Sequence, residues 1–377
     1  MTGTIQMVEL RGQYEKIKID IDQAILNVIE TSAFIQGPDV RNFERDLQQY
    51  LEVERVISCG NGTDALQIAL MALDLKPGDE VIVPSFTYVA TAEVIGLLGL
   101  TPVMIDVDPC TFNITAELIK PAISAKTKAI IPVHLFGQCT EMEAIVSIAK
   151  DNGIKIIEDT AQALGAVYTF GNGEKKRAGT IGDIGCTSFF PSKNLGCYGD
   201  GGALYTNNTE LGDRLKMVAN HGQRKKYYHE VLGVNSRLDT IQAAVLGVKL
   251  KHLDEYSESR NKVASYYDKH LNNITGLTIP ARSAQSTHVF HQYTIKIADG
   301  RRNELQGYLK DKGIPSMIYY PLPLFEQEAY KNIGRCVGEM NTTKTLCEQV
   351  LSLPIHTELA EDTLDYITET IKSYFNG

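Results

Sequence analysis

Apolar residues recur along the chain in two registers. Between residues 13 and 31 they fall at Ile17, Ile21, Ile25, Val28 and Ile29, a helical period, and Gly37-Pro38 separates this stretch from a second helical run over residues 40–51. Strand-length apolar runs follow at residues 56–59, 80–84, 101–107, 128–135, 155–159 and 186–190, with helical stretches such as 92–98 and 142–150 between them. This βαβα alternation predicts an α/β fold with a mostly parallel sheet covered by helices on both faces. In such sheets ligands sit beyond the carboxyl ends of the strands. From residue 208 the pattern changes to a helix over 211–219, a polar loop HGQRKKYYHE, and a long helix from about residue 240 to 271. A half-exposed strand at 290–297, a helix at 302–312, a Pro-rich turn at 319–323 and an amphipathic helix at 361–374 complete the chain. The long helix is expected to bridge two units: residues 1–250, an N-terminal arm and large domain, and residues 251–377, a small α+β domain.

Composition narrows the class. The 377 residues are 43% hydrophobic and carry a formal net charge of −9, enough for a large core and without a general basic field, so neither nucleic acid nor a membrane is expected as a partner. Any anion must be held by a local site. The seven cysteines contain no CxxC pair, so reduced thiols are expected, with neither a disulfide framework nor a metal site. The first residues, MTGTIQMVELRGQYEKIKIDID, contain no apolar run of signal or spanning length, and a cytoplasmic protein is expected.

The candidate chemistry gathers at predicted strand ends. The run at 186–190 stops at Pro191 and leads into SKNLGCYGDGGAL, whose one amine is Lys193. An amine there is either a surface lysine in a glycine-rich turn or a desolvated nucleophile for Schiff-base chemistry with a carbonyl, such as that of pyridoxal phosphate. In KIIEDTAQALGA the run at 155–157 sends Glu158 and Asp159 to opposite faces, so one of the two is expected inside. A buried carboxylate needs a cation or several donors, and a protonated pyridine nitrogen is such a cation. After residues 56–59, Gly60-Asn61-Gly62-Thr63-Asp64 opens a helix; Thr63 or Asp64 could cap it, and its free N–H groups suit a phosphate. His134, in the run at 128–135, is a further polar residue at a strand end. His288 and His291 would face opposite sides of a strand and lack a third ligand, so no metal is inferred from them.

Together these stretches resemble the fold type I, pyridoxal 5'-phosphate-dependent nucleotide-sugar aminotransferases of the DegT/DnrJ/EryC1/StrS family. IQGPDV, CGNGTDAL, VPSFTYVAT, PVHLFGQ, EDTAQALGA, SFFPSKNLGCYGDGGA, GVNSRLDTIQAA and YYPLPL stand in that family's order over nearly the whole chain. The resemblance implies a large, mostly parallel seven-stranded sheet. It implies that Lys193 binds the cofactor covalently, Asp159 meets the pyridine nitrogen, Gln162 lies by O3′, and Tyr88 stacks on the ring. Gly62, Thr63 and Ser188 are implied in the phosphate site, joined by Asn235 from a second subunit, with Arg237 nearby at the nucleotide sugar; the expected assembly is a homodimer with shared sites. His134, Tyr319 and Tyr320 are the remaining substrate-binding candidates. The phrases around Lys193 and Asn235 are most similar to enzymes aminating C3 of a UDP-linked 2-acetamido-3-keto sugar with L-glutamate as donor. Tyr319-Tyr320 departs from the His-Tyr of the glucuronate branch, which leaves open a glucose form, a dTDP-3-keto-6-deoxyhexose or amination at C4.

Overall fold

A computed structural model describes residues 4–377. The arm comprises helices Leu10–Lys16 and Lys18–Thr31, broken at Ile17, and then Pro38–Leu51, with Pro38 at its first turn, where its missing N–H leaves no helical bond unmade. Strands β1 (Arg55–Cys59), β2 (Glu80–Pro84), β3 (Thr101–Ile105), β4 (Thr127–Ile130) and β5 (Lys155–Asp159) follow, with intervening helices Gly62–Ala72, Ala90–Leu97 and Met142–Asn152 among them. A small ribbon, β6 (Val167–Thr169) with β7 (Lys175–Arg177), precedes β8 (Ile184–Ser188) and β9 (Gly202–Thr206). After helix Thr209–Ala219 come a second ribbon, β10 (Gln223–Lys225) with β11 (Tyr228–His229), and helices Thr240–Leu250 and Leu253–Leu271. The expected single long helix is therefore interrupted at Lys251-His252. The C-terminal part adds β12 (Leu277–Thr278), β13 (Tyr293–Ile297), β14 (Arg335–Val337) and β15 (Val350–Leu353), with helices Arg302–Asp311, Asn341–Gln349 and Glu361–Asn376.

The large sheet has the order β1-β9-β8-β5-β4-β2-β3-β14. Only β9 runs antiparallel to its neighbours; the ladders from β8 to β14 are parallel. Both faces are buried because successive side chains alternate: Val81, Val83, Ile131 and Ile157 enter one core with helices Gly62–Ala72 and Ala90–Leu97, while Ile82, Val103, Ile130 and Ile156 enter the other with helix Met142–Asn152. Seven strands come from residues 55–206, and the eighth, β14, returns from the C-terminal part to pair with β3. Arg335 holds that edge by two bonds to Glu80, Nε to Oε1 at 3.1 Å and Nη2 to Oε2 at 2.9 Å. The antiparallel sheet β12-β13-β15 has its own core with helices Leu253–Leu271, Arg302–Asp311 and Glu361–Asn376.

At the end of β5 the expectation that one of two adjacent carboxylates lies inside is corrected: both do, on opposite faces. Glu158 has no exposed surface and accepts from the N–H groups of Gly179, Ile181 and Gly182 at 2.8, 2.7 and 2.6 Å and from His134 Nε2 at 2.8 Å. His134 Nδ1 accepts the Thr140 N–H at 3.2 Å, which leaves Nε2 to carry the proton it donates to Glu158. Glu158 thereby ties the loop at 179–182 to β5. Glu158→Gln places an amide N–H against a backbone donor and should lower stability by about 3 kcal/mol, read as a fall in melting temperature. An unchanged melting temperature would show that these bonds hold nothing.

Candidate active site

A cavity of about 830 Å³ opens where β1, β2, β5 and β8 end, and its wall includes Gly62, Thr63, Tyr88, Asp159, Gln162, Ser188, Lys193, Tyr319 and Tyr320. Convergence here follows from the topology, because parallel strands bring their carboxyl ends to one edge of the sheet.

Lys193 stands on the loop after β8, where its N–H closes a turn onto the Phe190 carbonyl at 2.8 Å. Its side chain faces the cavity, and desolvation pushes its pKa down to about 8 against the opposing pull of the Asp159 charge. Asp159, 7% exposed, accepts the Ala161 N–H on Oδ1 at 3.0 Å and the Thr91 hydroxyl on Oδ2 at 3.3 Å. Burial raises its pKa above the ordinary carboxylate value, while the Ala161 bond and the Lys193 charge work in the other direction. The carboxylate has room for a stronger cationic donor from the cavity side. Gln162 accepts the Phe136 N–H on Oε1 at 2.7 Å and donates Nε2 to the Tyr320 hydroxyl at 3.1 Å. The ring of Tyr88, 58% exposed, lies 6.4 Å from that of Tyr320.

The glycine turn after β1 differs in one detail from expectation. Asn61, rather than Thr63 or Asp64, caps helix Gly62–Ala72, its side chain accepting the Asp64 N–H at 2.8 Å. The N–H groups of Gly62 and Thr63, in the first turn, have no helical acceptor and point out of the helix end beside Ser188. Glycine is required at 62 because a Cβ there would stand 2.7 Å from Ser188 Cβ, so the helix end and the end of β8 form one tight cradle.

Three candidates lie outside this cavity. His134 is fully buried and its two ring nitrogens are engaged by Glu158 and Thr140, which corrects its placement at a substrate. Asn235 is exposed, and Arg237 lines a separate cavity of about 420 Å³. Ser236 between them is 3% exposed and joins their loop to the glycine turn, donating to Asp64 Oδ2 at 2.6 Å and accepting the Gly60 N–H at 2.8 Å. Conversely, His291 and Gln292 line the main cavity although the sequence did not single them out as site residues. His291 is set aside by its spacing from His288; burial and the Lys193 charge hold its pKa well below the usual range, and its Nδ1 has no partner. No local pattern marks it: His291 and Gln292 reach the wall after the positive-φ Phe290, on a segment that packs against Gly137.

A desolvated lysine, a buried carboxylate with its pKa raised and a helix-end cradle in one cavity fit pyridoxal phosphate at its aldehyde, pyridine and phosphate ends, and define the class as a fold type I aminotransferase. Sequence comparison is specific: the profile of the DegT/DnrJ/EryC1/StrS aminotransferase family matches residues 15–372, and the chain belongs to that family. The UDP-2-acetamido-2-deoxy-3-oxo-D-glucuronate aminotransferase of Pseudomonas aeruginosa is 45% identical over 354 residues, 93% of this chain and 95% of that protein. A pleiotropic regulatory protein of Geobacillus stearothermophilus is also 45% identical, covering 98% of each chain. The dTDP-3-amino-3,4,6-trideoxy-alpha-D-glucose transaminase of Streptomyces venezuelae is 38% identical over 94% of this chain and 92% of its own. Among solved structures, NtdA from Bacillus subtilis with bound cofactor PMP superimposes with a TM-score of 0.87 at 31% identity, over 96% of this chain and 82% of that one.

The apoprotein should capture pyridoxal phosphate faster as pH rises to about 8 and no faster beyond, because the neutral amine is the nucleophile and Lys193 loses its proton there. Asp159→Asn removes the charge that opposes this loss, so the midpoint should move down in pH; Lys193→Ala should capture none. Stopped-flow absorbance reads all three, and a midpoint indifferent to Asp159 would mean that the carboxylate does not act on Lys193.

Proposed function

We propose that this enzyme transfers the amino group of L-glutamate to C3 of a UDP-2-acetamido-2-deoxy-3-keto-hexose, in the glucuronate or the glucose form, for surface polysaccharide or lipopolysaccharide biosynthesis in the cytoplasm. The observation that carries the reading is the pairing in one cavity of a lysine with its pKa near 8 and a desolvated carboxylate, beside a helix-end cradle. The family and the likeness to the Pseudomonas enzyme support the substrate class. Bound pyridoxal phosphate supplies the electron sink that lets an amine-bearing carbon lose and regain a proton.

The chain's own residues do the rest. The N–H groups of Gly62 and Thr63, with the Ser188 hydroxyl, hold the phosphate through neutral donors and the positive helix end. Asp159 would keep the pyridine nitrogen protonated, and Gln162 and Tyr88 would hold the ring of the cofactor. The Lys193 amine, in the same cavity, would carry the proton to and from the sugar carbon as general base and acid. Tyr319 and Tyr320 border the sugar; with Tyr319 where the glucuronate branch carries histidine, the uncharged glucose form gains support. The dTDP-linked 3-keto-6-deoxyhexose is the competing substrate, on the likeness to the Streptomyces transaminase.

Asn235 and Arg237 serve the partner's cavity in a homodimer. They lie off their own cavity, and exposed Ile19, Leu26, Ile29, Phe34 and Ile35 along helix Lys18–Thr31 and just after it give an apolar surface for a second copy.

With glutamate, a panel of UDP- and dTDP-linked 3- and 4-keto sugars read by mass spectrometry should show conversion of ketone to amine fastest for the UDP-3-keto sugars. Faster turnover of a dTDP or a 4-keto sugar would replace the substrate assignment. An Asn235→Ala, Arg237→Ala chain and a Lys193→Ala chain should each be inactive and recover activity when reassociated together. No recovery in a mixture shown to contain heterodimers would mean that each chain completes its own site.

A further inference from the structure

Lys249 is a buried ammonium that the reaction above does not use. It sits on helix Thr240–Leu250, is 1% exposed, and pairs with no carboxylate among the described residues. Its Nζ donates to the Gly196 carbonyl at 2.6 Å, and the Tyr198 ring centroid lies 5.3 Å away. The charged and titratable groups that face it are the Cys197 thiol and Tyr198 from the loop and Arg260 from the following helix. Burial, with Arg260 adding to it, pushes the Lys249 pKa down to about 8. An ammonium without a counter-ion is an expensive way to fill space in a core, and a methionine would fill it without the desolvation penalty.

Gly196 belongs to the loop that carries Lys193. The base of the loop is closed by the Phe189 N–H on the Gly201 carbonyl at 2.7 Å and the Cys197 N–H on the Phe189 carbonyl at 2.8 Å. Gly196 also presses on the turn below Lys193: a Cβ at Gly196 would stand 2.3 Å from the Pro191 carbonyl oxygen and 2.9 Å from that of Phe190. The Phe190 carbonyl is the acceptor of the Lys193 N–H. Displacing Gly196 therefore displaces the turn that aims the lysine. Gln242, two helical turns before Lys249, holds the next segment of the same loop, accepting the Tyr198 N–H at 2.8 Å.

We propose that Lys249 is a positioning residue: by gripping the Gly196 carbonyl from helix Thr240–Leu250 it sets where the Lys193 amine stands in the cavity. The inference rests on the reading of Lys193 as the cofactor's lysine. It adds that the helix directly following the Asn235–Arg237 loop also holds the catalytic-lysine loop.

Three preparations test this: wild type, Lys249→Met and Lys249→Arg, each as apoprotein and as holoenzyme. In Lys249→Met, capture of pyridoxal phosphate by the apoprotein and kcat should both fall by about tenfold to a hundredfold, the scale set by a misplacement of about 1 Å, with KM for both substrates little changed. Lys249→Arg should recover part of both. The melting temperature of wild type relative to Lys249→Met should rise as pH goes from about 8 towards 10.5, because over that range the unfolded lysine still holds a proton that the folded one has released. Normal capture and kcat in folded Lys249→Met would overturn the proposal, as would a large loss of stability with unchanged kcat per folded chain. If Lys249→Met does not fold, Gln242→Ala replaces it: reduced capture at unchanged melting temperature supports control of Lys193 by this helix face, and unchanged capture overturns it. A wild-type apoprotein that captures no pyridoxal phosphate would instead overturn the functional reading on which the proposal rests.

Discussion

The end of β5 places two carboxylates at consecutive positions inside the protein, and much of the architecture follows from accommodating them. Alternation along the strand sends them to opposite faces, so they are satisfied by different means. Glu158 meets three backbone N–H groups and a histidine, and its lone pairs are used up by the fold. Asp159 meets one backbone N–H and one longer hydroxyl contact, and faces a cavity that also holds Lys193. A buried carboxylate short of donors is a poor structural element and a good partner for a cation that arrives with a ligand.

The same division between filled and unfilled groups recurs around the cavity. Asn61 caps helix Gly62–Ala72 at Asp64, leaving the N–H groups of Gly62 and Thr63 without a helical acceptor; in a chain of net charge −9 they offer an anion a site that needs no basic surface. Gln162 spends both ends of its amide on Phe136 and Tyr320, which links the large sheet to the turn carrying Tyr319 and Tyr320. Ser236 ties the glycine turn at residues 60–64 to the loop bearing Asn235 and Arg237. Cations deeper in the molecule work on backbone: Lys249 grips the Gly196 carbonyl, and Arg260 reaches the carbonyls of Phe290 and Ile355 at 3.0 and 3.1 Å. Each braces a segment adjoining the cavity.

Much of this was legible in the sequence because it depends on local order. The alternation of apolar runs predicts the parallel sheet, and parallel strands must present their carboxyl ends together, which is why Asp159, Ser188, Gly62 and the loop of Lys193 could be expected to meet before any distance was known. Adjacent residues on a strand must face apart, so Glu158 and Asp159 had to differ in role. What the local pattern could not contain is the partner each group finds. His134 ends a run as a site residue would, yet Glu158 and Thr140 occupy both its nitrogens; His291, passed over for its spacing, reaches the cavity wall. The eighth strand comes from residues more than two hundred positions beyond its neighbour, and Lys249 finds a carbonyl 53 residues away. Period and spacing determine which face a side chain takes within its own element. Whether that face meets a core, a carbonyl or a cavity is decided by the packing of elements distant in the chain, and only the tertiary structure holds that information.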